Sequence, residues 1–550
     1  MTLTGVEDRL KSRGGVLALW LAGTGAAALV AVLMWTHGVP GWDDFAHAYK
    51  VFLLRRGESI FWDDYWYGGS YGAVNYGFVF YWLAQYLPAK VIVVLAAGAV
   101  PPLYYVYQRG MWHCDDVWPA WAFAGIMAVY LAHGQDPFLL GLALTVAGLA
   151  LLARRHPVLA ALTVALGVFA NPMAFVVCGP LMAADVLGRP ECRRRYLWFA
   201  AALAPFVLVR IGLAAAFSEP GDYLNETSQL MLYLGFALAG LALAGVNAVH
   251  PRRPFIILFL TYSALCVLSF VTPGSPLGNN IGRFFFVFGL PLLLLLRHSR
   301  LRRPFPYGDL TLIPIVLFGV LQVSAPYSHF TRSDEWPQTR AAFFTPALTA
   351  ARQLYDPNYR IHVVALRRHG EAAYFPEAGL PITRGWYRQA DAVHNGIFYT
   401  HYDAASYAEW LRTMGVEYIF LADAPLDAWS QREARILGTS AEFEVVEKTG
   451  AWTIYRLRDP EPLLVGLDGG SGDIARVRHR EIDFSVSAPG SYELKFSWSP
   501  YWTLEGGGGE LSPAQGGFIR MRLSGSGSFA LRFVVTPGRA LDTVLGKAGL

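Results

Sequence analysis

The hydrophobic pattern of the chain changes character near residue 327. Before that point, unbroken apolar runs alternate with short polar connections; after it, polar and apolar residues mix at helical and strand spacing. Runs long enough, or nearly so, to cross a bilayer fall at 15–36, 88–107, 117–132, 138–153, 157–171, 173–188, 196–216, 229–249, 254–272, 284–296 and 309–326. The expectation is a polytopic α-helical membrane protein of about eleven transmembrane helices, with Asn171-Pro172 as a tight turn between two of them. Residues 76–87 (YGFVFYWLAQYL) are apolar but too short and aromatic for a span, and read as a re-entrant or interfacial helix.

Beyond the spans, residues 328–465 predict a small α/β domain. Its strands are Arg360–Leu366, Val416–Ala422 and Trp452–Leu457; its helices are Thr339–Leu354, Ala404–Met414 and Leu426–Leu437. Residues 466–550 alternate at a period of two over Glu481–Val486, Tyr492–Trp498, Gly517–Leu523 and Ser528–Val535, the pattern of a β-sandwich, with Gly506–Gly509 as a hairpin tip. The predicted domains are thus a transmembrane body over 1–327, carrying a first loop at 37–87, then 328–465 and 466–550.

Charge orients this arrangement. Arg9, Lys11, Arg13, Arg109, Arg154, Arg155, Arg189, Arg193 to Arg195, Arg252, Arg253 and the run from Arg297 to Arg303 all fall on one side. By the positive-inside rule that side is cytoplasmic, so eleven spans leave the C-terminal domains extracytoplasmic. Lys50, Arg55 and Arg56 oppose the bias, but they stand in a long loop where the rule is weak. The first apolar run is too long for a signal peptide and lacks a cleavage site, so it is expected to be retained in a plasma or inner membrane. The chain is 54% hydrophobic and 16% charged, too apolar for a soluble protein of 550 residues. Its basic residues form no stripe suited to nucleic acid. The four cysteines, Cys114, Cys178, Cys192 and Cys266, form no CxxC pair and no disulfide framework.

Candidate chemistry gathers in the first loop, GWDDFAHAYKVFLLRRGESIFWDDYWYGGSYGAVNYG from Gly41 to Gly77. Carboxylates beside a bilayer are costly and rarely placed there without a role. With Trp42–Leu54 helical, His47 stands four residues after Asp43 and three after Asp44, within reach of either. Asp63 and Asp64 read as solvated loop charge. Trp62, Tyr65, Trp66, Tyr67 and Tyr71 read as an interfacial belt, with Trp66 and Tyr67 also suited to stacking on sugar rings. On the same face lie His133 and Asp136 in HGQDPF, either a metal-binding constellation or a helix terminus before Pro137. Arg283, in LGNNIGRF, either forks a phosphate or snorkels to head groups; Asn279 and Asn280 either bind sugar hydroxyls or make the turn. Arg384 to Arg388 and His394 form a polar, aromatic loop of the α/β domain, at a substrate or at a domain interface. P-loop, GxGxxG-helix, HExxH and GxSxG motifs are absent from the sequence.

The acidic pair Asp43–Asp44 in GWDDFAH, just after the first span of such a topology, resembles the GT-C superfamily of membrane glycosyltransferases. That superfamily includes protein O-mannosyltransferases, aminoarabinose transferases and oligosaccharyltransferases. The segment LLRRGESIFWDDYWYGGSYGAVNYGFVFYWLA is similar to the corresponding stretch of bacterial membrane proteins labelled 6-pyruvoyl-tetrahydropterin-synthase-related, although Asn75-Tyr76-Gly77-Phe78 replaces their YPPL-like segment. The resemblance implies a GT-C-like fold and transfer of a sugar from a polyprenyl-phosphate carrier to an envelope glycan, lipid or protein, with inversion. Asp44, or Asp43, would be the base; Arg283 would hold the donor phosphate; His47, Asn279, Asn280, Trp66 and Tyr67 would line the substrates. A divalent metal (Mg or Mn) would sit among Asp43, Asp44, His133 and Asp136. The chemistry asks for such groups: a carboxylate to accept the acceptor's proton, negative charge near an oxocarbenium-like centre, and a cation for the departing phosphate.

Two other readings stand beside it: a non-catalytic envelope-assembly protein of the same architecture, and a transporter or flippase of lipid-linked sugar. The second expects ionisable residues in mid-span, and Arg210 is the main one here. The orientation has a direct consequence: in intact cells an impermeant thiol reagent should leave Cys114 and Cys192 unlabelled and modify a Ser406→Cys variant. The reverse pattern, read by mass shift of the purified chain, would invert the topology.

Overall fold

The computed structural model describes residues 13–71, 77–218, 221, 226–246, 252–272, 277–298, 312–331 and 336–547. Asn75, Tyr76, Glu219, Asp222, Arg9, Lys11 and most of the basic run after Arg297 therefore lie outside the described residues. By its contacts the chain forms two compact units. Unit 1 comprises Met1–Asp44, Tyr76–Ile211 and Asp222–Asp334; unit 2 comprises Phe45–Asn75, Gly212–Gly221 and Glu335–Leu550.

The helices run in order as α1 (Arg13–His37), α2 (Asp44–Arg55), α3 (Phe78–Ala84), α4 (Ala89–Trp112), α5 (Trp118–Leu131), α6 (Asp136–Ala153), α7 (Pro157–Ala170), α8 (Pro172–Val177) and α9 (Gly179–Gly188). They continue as α10 (Arg193–Ala216), α11 (Thr227–Val246), α12 (Arg252–Val271), α13 (Arg283–His298) and α14 (Leu312–Thr331). Apolar side chains all round these helices, rather than on one stripe, fit a lipid surround. Among the described residues seven stretches are long and apolar enough to cross a membrane: Gly14–His37, Ala89–Trp112, Asp136–Ala153, Pro190–Ala216, Thr227–Gly245, Arg252–Val271 and Gly278–Arg297. The other four stretches read as spans fall on shorter apolar segments among the described residues: Trp118–Leu131, Pro157–Ala170, Pro172–Gly188 and Leu312–Ser324. The chain is a multi-pass membrane protein. Small residues let its helices approach; a Cβ on Gly148 of α6 would lie 3.1 Å from the Ala160 carbonyl of α7.

Unit 2 holds three four-stranded sheets. Strands β1 (Arg360–Val363), β2 (Val416–Ala422), β3 (Phe443–Thr449) and β4 (Trp452–Leu457) form a mixed sheet in the order β1-β2-β4-β3, with only β1 and β2 parallel. Around it lie α15 (Ala341–Leu354), α16 (Glu371–Glu377), α17 (Arg388–His394), α18 (Ala404–Thr413) and α19 (Gln431–Thr439). The sandwich follows with β5 (Leu464–Gly466), β6 (Gly472–Arg478), β7 (Glu481–Val486), β8 (Gly490–Ser497), β9 (Trp502–Glu505), β10 (Gly509–Pro513), β11 (Phe518–Leu523), β12 (Gly527–Phe533) and a last helix, α20 (Pro537–Val544). Its two antiparallel sheets are ordered β10-β11-β8-β5 and β6-β7-β12-β9. Gly506–Gly509 is therefore not a hairpin tip: β9 and β10 belong to different sheets, and the glycines carry the chain across. Gly506 has φ +98°, and a Cβ there would lie 2.6 Å from the Ser528 carbonyl.

The first loop departs most from expectation. Its residues from Phe45 onward belong to unit 2, because its aromatic side chains fill that unit's interior instead of forming a belt. Trp62 is 2% exposed and stacks on Phe533 at 4.6 Å. Trp66 is fully buried and donates to the Ala372 carbonyl at 2.7 Å; Tyr67 donates to the Tyr387 carbonyl at 2.9 Å and stacks on His394 at 5.2 Å. Arg384, Gly385 and Tyr387 of the Arg384–Arg388 stretch are interior as well, with the Arg384 guanidinium forked onto Asp391, whereas Arg388 is exposed. The α/β sheet and the sandwich also share this unit: Arg360 donates to the Met414 and Lys495 carbonyls at 2.8 Å each.

Asp63 and Asp64 are likewise interior, not solvated. Asp63 accepts from Tyr49 Oη at 3.1 Å, the Tyr65 amide at 3.1 Å and His479 Nδ1 at 3.0 Å, with Lys50 Nζ at 3.5 Å. Burial alone would raise its carboxyl, but Lys50 and His479 outweigh burial and hold it down at about 2. For Asp64 burial wins: a single bond from Trp62 Nε1 at 2.7 Å does not offset it, and the carboxyl is pushed well above the usual range. The neighbours thus act in opposite senses. A carboxylate depressed below its unfolded value contributes stability that is full above pH 3.8 and is lost as pH falls through about 2. Asp64 instead favours its protonated form. Asp63→Ala should cost about 3–5 kcal/mol by removing the buried carboxylate that Tyr49, Tyr65, His479 and Lys50 share. Asp64→Asn, which keeps an acceptor for Trp62, should stay within about 1 kcal/mol of the parent. Urea midpoints followed by tryptophan fluorescence distinguish the two; equal losses would refute this assignment.

Candidate active site

The polar residues of unit 1 that matter here converge on one end of its helices: the end of α1, the starts of α4, α6 and α13, and the end of α5. Chain geometry brings them there. Gly41 and Gly134 close against each other, one from the segment after α1 and the other from the turn between α5 and α6, and the Trp42 amide donates to the His133 carbonyl at 2.8 Å. A Cβ on Gly134, whose φ is +71°, would lie 2.9 Å from Gly41 Cα and 2.6 Å from Asp44 Oδ1. The contact is possible because both residues are glycine.

This close approach fixes Asp44. Its Oδ2 accepts from the Gly41 amide at 2.8 Å and its Oδ1 from Lys90 Nζ at 2.7 Å. Lys90, on the first turn of α4, also reaches Asp136 at 3.4 Å, so one ammonium stands between two carboxylates from different segments. Asp136 is 2% exposed, while the Lys90 side chain is 39% exposed along its length. Tyr130, at the end of α5, hydrogen-bonds to Gln135 and lies in the field of both Arg283 and Asp43. Arg283 stacks its guanidinium over Phe138 at 4.7 Å, which holds it at the same end of the bundle.

The residues singled out from the sequence are thus placed unequally. Asp43, Asp44, Asp136 and Arg283 come together in unit 1, with His133 in the turn that carries Gly134. Asn279 and Asn280 are half-buried in the turn Gly278–Gly282 that leads into Arg283. Trp66 and Tyr67 are spent on the interior of unit 2, and His47 is buried on α2 at 3% exposure. The helix begins at Asp44, not at Trp42, and Asp43 is the residue immediately before it. Among the described residues no group of three or more His, Cys, Asp or Glu side chains lies close enough to hold a metal ion. Between Asp44 and Asp136 the balancing charge is an ammonium, which does not fit a divalent ion at that point. Lys90 is the residue that sequence reasoning missed. Its signal was there: a lone lysine opening an apolar run of some twenty residues, in a chain whose other membrane-half cations are almost all arginine.

No family model and no curated protein matches the sequence. Among solved structures the chain is similar to the arabinofuranosyltransferase AftD from Mycobacteria, at 19% identity over 83% of this chain and 41% of that one, with a TM-score of 0.45. It therefore spans about two-fifths of that protein's length. It is also similar to the oligosaccharyltransferase AglB from Archaeoglobus fulgidus, solved with an inhibitory peptide and a dolichol-phosphate (12% identity, 74% of this chain, 69% of that chain, TM-score 0.42). A third likeness is to ArnT from Cupriavidus metallidurans (12% identity, 79% of this chain, 98% of that chain, TM-score 0.39). All three are GT-C superfamily members.

The glycine contact makes a prediction about the ion pair. Gly134→Ala should drive Asp44 off Lys90, so acylation of the Lys90 amine, read by mass spectrometry of the folded chain, should accelerate several-fold. Gly57→Ala is the control: Gly57 has φ +76° with nothing within 4 Å, so it carries the backbone strain without the displacement. Unchanged Lys90 reactivity in Gly134→Ala would refute the coupling.

Proposed function

We propose that this protein is a membrane glycosyltransferase that takes a sugar from a polyprenyl-phosphate donor and passes it to an envelope glycan, lipid or protein, with inversion, on the extracytoplasmic face. The observation that carries the reading is the Asp44–Lys90–Asp136 cluster at the same helix ends as Asp43 and Arg283. Together these residues offer three carboxylates and two cations at the end of an apolar bundle, where a lipid phosphate would arrive.

The roles follow from how each group is held. Both oxygens of Asp44 already accept hydrogen bonds, so Asp44 orients Lys90. Lys90 and Arg283 then receive the donor's phosphate, the ammonium as a compact charge and the guanidinium as a planar fork. Asp43 precedes the helix and is half-exposed, which suits it to take the acceptor's proton. Negative charge from the pair also favours an oxocarbenium-like centre as the phosphate departs.

The expected outcomes separate these roles. Asp43→Asn should lower turnover by about 10²- to 10⁴-fold with donor binding intact. Lys90→Met and Arg283→Lys should weaken binding of undecaprenyl phosphate to the purified, reconstituted chain at unchanged thermal stability. If a double Asp43→Asn, Asp44→Asn variant supports normal envelope assembly at normal protein levels, the enzyme reading fails and the scaffold reading replaces it.

A further inference from the structure

The last helix, α20, has one face committed to unit 2 and one committed to nothing among the described residues. On the committed face Arg539 donates to the carbonyls of Tyr501 at 2.9 Å, Val534 at 3.0 Å and Trp502 at 3.2 Å. Ala540 packs against the sandwich core, and Thr543 lies against the Tyr501 hydroxyl. At about 100° per residue, the opposite face carries Leu541, Val544 and Leu545. These are 57%, 43% and 56% exposed, with Val534 at 39% nearby in sequence. Large aliphatic side chains clustered outward on so short a helix require a cover.

The neighbours of α20 within unit 2 say what that cover is. Tyr501, which anchors Arg539, also donates its hydroxyl to the Ala216 carbonyl at 3.0 Å and stacks on Phe217 at 5.1 Å. Ala216 is the last residue of α10, a span whose Leu197, Leu208 and Ile211 are 70%, 67% and 59% exposed. These side chains face lipid. From Ser218 to Glu226 the sequence (SEPGDYLNE) is mostly polar, then the next span opens at Thr227. Ala216 therefore marks a bilayer boundary. Leu213, Ala216, Phe217 and Ala540 belong to one apolar cluster, so α20 is fastened at the level where a span leaves the membrane.

We infer that α20 is an interfacial helix: Leu541, Val544 and Leu545 lie in the boundary between lipid head groups and acyl chains. The partner is the lipid surface itself. Asp542, on the rim of the apolar face, and Lys547, just past the helix, remain in the head-group layer, as the charged edge of an interfacial helix should. The inference depends on the chain's being a membrane protein and is independent of the transferase reading.

The test uses the full chain in nanodiscs of three parts phosphatidylcholine to one part phosphatidylglycerol, in a Cys114→Ser background whose three other cysteines are buried. Nitroxide labels go at Leu541→Cys, Leu545→Cys and, as an exposed reference on β10, Ser512→Cys. The ratio of collision with oxygen to collision with a water-soluble nickel chelate should be several-fold higher at 541 and 545 than at 512. Equal ratios at all three sites would overturn the proposal. So would labels at 541 and 545 shielded from both reagents and broadened by label–label coupling that vanishes on dilution with unlabelled chain, because a second copy would then be the cover.

Discussion

One ammonium group sets the terms for the candidate site. Three carboxylates, Asp43, Asp44 and Asp136, stand near the end of an apolar bundle, where unneutralised charge is expensive. Lys90 relieves that cost for two of them at once, at 2.7 and 3.4 Å. Because its partners come from the segment after α1 and from the start of α6, the pairing also ties three parts of the chain together. The glycine contact between Gly41 and Gly134 serves this arrangement: it brings the two backbones close enough for a side chain as short as aspartate to reach. The site's electrostatics and its backbone geometry are therefore one design.

Unit 2 applies the same physics to a different end. Its buried carboxylates are adjacent in sequence, yet Asp63 is surrounded by donors and Asp64 meets one indole. Position in the interior, not residue type, decides that one is held as the anion and the other is pushed toward the neutral acid. The Arg384–Asp391 fork extends this polar interior into the α/β sheet. Such interiors hold neighbouring elements in one arrangement because each group has few acceptable partners.

The sequence made the helices and strands legible wherever period and length agreed. Glu481–Val486 was read with the bounds the structure shows because alternation is strict there, and Val416–Ala422 and Trp452–Leu457 because their aromatic and aliphatic runs are set off by turn-like flanks. Strands β3, β5, β6, β9 and β10 were not, since they are short or carry charged and glycine-rich faces that blur the alternation, as in Phe443–Thr449. Asp43, Asp44, Asp136 and Arg283 were legible as candidates because charge at a span end is rare. Lys90 was not, since pairing across 46 residues leaves no local spacing to read. The first loop was misread for a related reason. Its Trp, Tyr and Asp residues have the composition of a membrane interface, and composition alone cannot distinguish an aromatic belt from the core of a domain encoded hundreds of residues later.

That last feature bears on how the protein is made. Residues 45–75 leave the ribosome early, but the β-strands and helices whose interior they complete are encoded after residue 335. Until those residues follow, Trp62, Trp66 and the Asp63–Lys50 pair have no interior to enter, while the intervening spans are inserted one by one. Closing so long a segment is slow on entropic grounds, and it exposes apolar surface for the duration. The final maturation of the protein is thus a late, post-insertion event, and a chain that stops early leaves its own first loop orphaned.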